Sequence, residues 1–180
     1  MEPDHAYNIG LIAEKYPDMK IVGNQITFNI LSNFFDFDLS KRKVIVTEGD
    51  ILDIGKHKLQ FIMAPMVHWP EVMMTYEQTE KILFSADAFG KFGALDADEE
   101  WDCEARRYYF GIVGKYGQQV QSLLKKVAGL EIKMICPLHG PILKENIEYY
   151  INKYNIWSSY EPEDEGVFIA AASIYGNTLE

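Results

Sequence analysis

Cysteine is scarce: Cys103 and Cys136 are the only two in 180 residues, and they form no C-x-x-C pair. That excludes a disulfide framework and a thiolate metal site, and both thiols read as ordinary buried side chains. Positive charge is short as well. With 17 Lys and Arg against 27 Asp and Glu, the net charge is -10, which repels the phosphates of nucleic acid and of acidic membranes. No apolar run approaches the length of a membrane span and no signal-peptide pattern is read, so the expected location is cytoplasmic. Repeats and low-complexity tracts are missing, which sets aside solenoids and arrays. What is present is 48% hydrophobic and 13% aromatic, enough to fold one domain around a core.

The elements alternate. Residues 6–16 carry a helical pattern that stops before Pro17, and 20–22 make a short strand. Residues 24–35 repeat apolar side chains at helical spacing, with Asn24 as the N-cap. Strands are expected over 43–47, 51–54, 59–64, 81–85 and 131–136, with Gly55-Lys56-His57-Lys58 as a hairpin turn that leaves His57 in solvent. Residues 101–126 read as two helices divided by Gly111, Gly114 and Gly117, and 144–154 as another. This is an α/β layer protein.

Near the C-terminus, residues 158–166 are acidic and punctuated by Pro and Gly, the composition of a linker. A continuous apolar strand is expected over 167–172, followed by Ser173-Ile-Tyr-Gly-Asn-Thr178. A strand running into hydroxyls, Gly and Asn is how phosphate-binding loops begin.

Chemistry gathers in a few polar side chains. Glu2, Asp4 and His5 can point into one small volume if the backbone turns tightly, and Pro3 stiffens such a turn. His68, Asp87 and His139 each stand where an apolar run hands over to a loop. Three carboxylates and three imidazoles suit a pair of first-row transition metals. Singly, each has a plainer reading. Glu2 and Asp4 read as capping carboxylates, His68 as a core or rim histidine, Asp87 and His139 as turn residues. The joint set outweighs those readings. Trp69, Tyr76, Tyr108 and Tyr109 read first as core packing and second as pocket lining.

The ordered set resembles the flavodiiron proteins. It comprises Glu2-x-Asp4-His5, then His68 before Trp69-Pro70, then Asp87 after Ser85-Ala86, then His139 before Gly140-Pro141. The resemblance implies a metallo-β-lactamase-like αβ/βα sandwich over 1–157, its N-terminal portion missing. It further implies a linker at 158–166 and the first strand of a flavodoxin-like FMN domain at 167–180. Glu2 and His68 would hold one iron; Asp4, His139 and His5 would hold the other; Asp87 would bridge them. Ser173, Tyr175, Gly176, Asn177 and Thr178 would cradle the FMN phosphate. The implied activity is reduction of dioxygen to water or of nitric oxide to nitrous oxide. Electrons would come from FMN and a rubredoxin-like donor, in a head-to-tail homodimer.

One departure is visible. The family cluster reads His-x-Glu-x-Asp-His, and its first His would sit two positions before Glu2, whereas this chain begins at Met1. The expectation is therefore a piece of a longer protein, truncated at both ends, that alone binds metal sub-stoichiometrically, carries no flavin and is inactive. A second reading is a metallo-β-lactamase-like dinuclear zinc hydrolase. A third is a non-catalytic fragment. Glu2 stands where such hydrolases carry a second His, and its hard carboxylate favours iron over zinc.

Overall fold

Strand direction decides where the loops of this protein emerge. A computed structural model describes residues 1–38, 40–97, 99–167 and 169–176. Its main sheet holds β3 (Ile51–Asp53), β4 (Lys58–Met63), β5 (Met73–Glu77), β6 (Ile82–Phe84) and β7 (Met134–Cys136), neighbours in that order. The first four pair antiparallel, and β7 joins β6 in parallel, with Leu83 beside Ile135. It follows that β4, β6 and β7 run the same way and end at one edge of the sheet. His68, Asp87 and His139 lie in the loops that leave that edge.

Helices cover one face of this sheet. They are α4 (Trp101–Tyr108), a π-helical turn (Tyr109–Val113), a 3-10 turn (Gly114–Tyr116), α5 (Gly117–Val127) and α6 (Ile147–Ser159). Tyr109, Val113, Val120, Leu123, Tyr154 and Trp157 pack on Ile62, Met74, Leu83 and Ile135, all buried. Removing such surfaces from water is the main stabilising term of the layer.

A smaller layer lies alongside. It has a parallel pair, β1 (Ile21–Gly23) and β2 (Lys43–Ile45), with α1 (Pro3–Ala6), α2 (Ile9–Lys15) and α3 (Gln25–Phe34). Asn24 caps α3 as expected: its Oδ1 accepts from the Thr27 N–H at 2.9 Å. Its Nδ2 donates to the Glu71 carbonyl at 2.8 Å, tying the small layer to the β4–β5 loop that carries His68.

Several expectations are corrected. Glu2 to His5 is not a tight turn but the start of α1, where Pro3 at the first helical position needs no N–H partner. The helix expected over 6–16 is split, because Tyr7 and Asn8 interrupt it. β5 is an element that no sequence pattern announced. The strand expected over 167–172 does not form at its described positions: that segment pairs with neither sheet, and Val167 and Ile169 are exposed. A strand without a partner edge has nowhere to place its N–H and C=O groups. Of the phosphate loop, Tyr175 and Gly176 are exposed and Ser173 is half-buried. Asn177 and Thr178 lie outside the described residues.

The linker is pinned rather than loose. α6 runs on to Ser159, and Glu163 accepts from Arg106 and from Lys153 Nζ, the latter at 2.8 Å. The Arg106 hydrogen bond, aided by Lys153, holds the Glu163 carboxyl down at about 2. His57 is likewise not free in solvent, since its Nδ1 stands 3.1 Å from Glu77 Oε1. Cys103 is exposed and Cys136 half-buried, so neither is the buried thiol expected.

Two outcomes test this packing. Tyr154 Oη accepts from the buried Phe89 N–H at 2.6 Å, two residues past Asp87. Tyr154→Phe orphans that N–H and should lower stability by about 1–3 kcal/mol in chemical denaturation; a loss under about 0.5 kcal/mol would contradict the assignment. Glu163 is depressed in the folded state, so its contribution is complete above its ordinary 4.5 and is lost as pH falls toward 2. Glu163→Gln should destabilise by about 1 kcal/mol near neutral pH, with the gap to wild type closing in acid. A gap that stays constant through that range in thermal denaturation speaks against the clasp.

Candidate metal centre

Asp87 sits at the middle of the loop edge, buried, on a backbone bent to reach it. Ala86 and Phe89 adopt left-handed φ values of 52° and 67° on either side. Such conformations are costly for residues with a Cβ and collect where a site needs a side chain aimed. The bend is braced by Ser85 Oγ, which donates to the Ala88 carbonyl at 2.7 Å. The Leu138 N–H donates to the Ala86 carbonyl at 2.9 Å, and this joins the Asp87 loop to the His139 loop. Gly90 allows the close approach: a Cβ there would stand 3.1 Å from the His139 carbonyl oxygen and 3.0 Å from that of Asp87.

The two oxygens of Asp87 face different partners. Oδ2 lies 3.3 Å from His68 Nε2, which is itself 3.0 Å from Glu2 Oε2. Oδ1 lies 2.9 Å from His5 Nε2 and 3.7 Å from His139 Nε2. His139 Nε2 is in turn 3.3 Å from Asp4 Oδ2 and 3.2 Å from His5 Nε2. All six residues expected as ligands are therefore brought together. Two overlapping groups, Asp4 with His5 and His139, and Glu2 with His5 and Asp87, keep their donor atoms within 4.8 Å of one another.

This donor set fits bound cations on physical grounds. Asp87 Oδ1 is buried and has no hydrogen-bond partner despite its closeness to His5. Two imidazole nitrogens confront each other, and three carboxylates share a small volume. Three carboxylates at these distances repel one another, and cations between them remove the conflict. Asp87 stands where one carboxylate would serve two ions.

Cavities open on both sides of the cluster. One, of about 330 Å³, has Glu2, Asp4, His68 and His139 on its floor and Lys91, Phe92, Tyr108 and Ile112 among its walls. Burial and the Asp87 charge push the Tyr108 phenol up, so it remains a neutral O–H. The Tyr108 and His139 rings are 5.7 Å apart. A second cavity, of about 180 Å³, is lined by Glu2, His5, Trp69, Glu71 and Asp87. Of the four aromatics singled out in the sequence, Trp69 and Tyr108 line these spaces. Tyr76 and Tyr109 pack in the core instead. Lys91 and Glu71, both buried, were not foreseen. The signals were Lys91 between two glycines just after Asp87, and an acid three residues past His68.

Comparison with known proteins follows the same lines. The family model described as ODP family beta lactamase matches residues 1–140. An uncharacterized protein of Methanocaldococcus jannaschii is 36% identical over 94% of this chain and 44% of its own length. Diflavin flavoprotein A 1 of Synechocystis is 31% identical over 99% of this chain and 32% of its own. The rubredoxin oxygen:oxidoreductase of Desulfovibrio gigas superposes with a TM-score of 0.81 at 27% identity, over 88% of this chain and 42% of that one. The chain thus spans less than half the length of these proteins. Its sheet and helices have the metallo-β-lactamase-like arrangement expected. With the matched family model, the shared fold and these relatives in agreement, this chain belongs to the ODP beta-lactamase family and is similar to flavodiiron proteins over part of their length.

Proposed function

We propose that this chain carries the dinuclear iron centre of an oxidoreductase that reduces dioxygen to water or nitric oxide to nitrous oxide. The observation that carries the reading is Asp87, whose two oxygens address His68 on one side and His5 on the other. In this reading Glu2 and His68 hold one ion, Asp4, His5 and His139 hold the second, and Asp87 is shared. Two iron ions in that place would supply electrons to a small molecule bound between them.

The remaining roles fall to the chain itself. Glu2, Asp4 and Asp87 bring three negative charges, which favour the more highly charged states of a metal over a weakly charged one. The neutral Tyr108 O–H offers a donor on the wall of the larger cavity, and Phe92 and Ile112 limit water there. The segment from 167 onward begins a flavodoxin-like domain that binds FMN through Ser173, Tyr175, Gly176, Asn177 and Thr178. A rubredoxin-like protein feeds that flavin. In a head-to-tail homodimer the flavin of one subunit faces the metal centre of the other. Support for the flavin and for the rubredoxin-like donor comes from relatives named diflavin flavoprotein and rubredoxin oxygen:oxidoreductase.

Elemental analysis tests the centre. Protein isolated from iron-supplemented cells should contain iron in preference to zinc, and Asp87→Ala should weaken retention at both positions. The loss should be at least the roughly 10–100-fold that follows removal of a mere outer-sphere partner. Zinc at full occupancy with turnover of a model ester would favour the hydrolase reading instead. For the substrate, reduced flavin in the full-length protein should be reoxidised rapidly by dioxygen or nitric oxide in stopped flow. No acceleration by either gas contradicts the proposal.

A further inference from the structure

Lys91 is a buried lysine without a role in the ligand cluster. Only 6% of it is exposed, and its ammonium pairs with Glu99, whose side chain is 33% exposed. Taking a lysine out of water costs several kcal/mol unless charge and hydrogen bonds compensate it. Among the described residues a single partner at the surface is thin compensation, so its placement asks for a reason.

Its position is fixed by backbone, not by chance packing. Gly140 follows His139 with φ +88°, and a Cβ there would meet Lys91 Cγ at 2.9 Å and Lys91 N at 3.2 Å. A Cβ on Gly93 would stand 3.5 Å from Lys91 Nζ. The stem therefore crosses Gly140 and the ammonium ends beside Gly93, both on the wall of the larger cavity. Among the described residues lining that cavity, Lys91 is the one lysine or arginine. The same cavity is lined by Glu2, Asp4, His68 and His139, the residues where cations are expected.

We propose that Lys91 makes the outer half of an anion-binding subsite over the metal centre, and that Glu99 sets its strength. A small anion in the cavity would be held between the metals and the ammonium. Glu99 competes for that ammonium from outside. The subsite's part in turnover rests on the reductive reading, because a molecule gaining electrons also gains negative charge. Its binding function does not, since iron or zinc on the floor would attract an anion equally.

Calorimetric titration of azide into the metal-loaded protein tests this, with the metal identified separately so that the two readings succeed or fail apart. Lys91→Gln should weaken azide binding about tenfold at low ionic strength, and Lys91→Arg should restore most of it. Glu99→Gln should move the other way, tightening azide about threefold by releasing the ammonium. Glu99 is at the surface, so that variant carries the test even if Lys91→Gln does not fold. Equal azide affinity in wild type and Lys91→Gln overturns the proposal. So does weakening by Glu99→Gln, which would mark the pair as a structural clasp of the loop. Unchanged affinity in Glu99→Gln is a third result against it.

Discussion

A carboxylate buried with its two oxygens turned toward different histidines is the constraint on which the rest of this structure depends. Asp87 has almost no water to share its charge, and its Oδ1 finds no hydrogen bond. An uncompensated charge in that place would be expensive. The surrounding fold nonetheless spends effort to keep it there. Two left-handed residues flank it, Ser85 and Tyr154 brace its loop, and Gly90 lets that loop press on His139. Such insistence is intelligible if positive charge belongs between the loops.

Topology supplies the rest. Because β5 lies between β4 and β6 and reverses direction, β4 and β6 end together, and the parallel partner β7 ends beside them. His68, Asp87 and His139, spaced far apart in sequence, thus reach one edge without any of them being near another along the chain. α1 then lays Glu2, Asp4 and His5 across that edge. Helical spacing sends Glu2 toward His68 and Asp4 toward His139 while His5 points inward at Asp87.

The sequence made most of this legible where local physics is strong. Asn24 announced the α3 cap, the glycine turn announced the β3–β4 hairpin, and apolar runs pointed to His68, Asp87 and His139, which the fold brings together. It was silent where the determinants are not local. β5 contains the strand-favouring Thr75 and Tyr76 but no long apolar run, and it is ordered by β4 and β6 on either side. The burial of Lys91 depends on Gly140, 49 residues further on, coming to rest on its stem. His57 and the cysteines were misjudged because exposure is a property of the fold. The apolar run after Gly166 has strand propensity, yet its described residues pair with neither sheet. Propensity without a partner does not make a sheet.

Anomalous diffraction from crystals of the full-length iron-loaded protein, recorded on either side of the iron absorption edge, tests the central claim most directly. The account predicts two peaks about 3.5–4 Å apart, one near Asp87 Oδ2 and His68, the other near Asp87 Oδ1 and His139. A single peak, or peaks that leave one Asp87 oxygen uncoordinated, would contradict it.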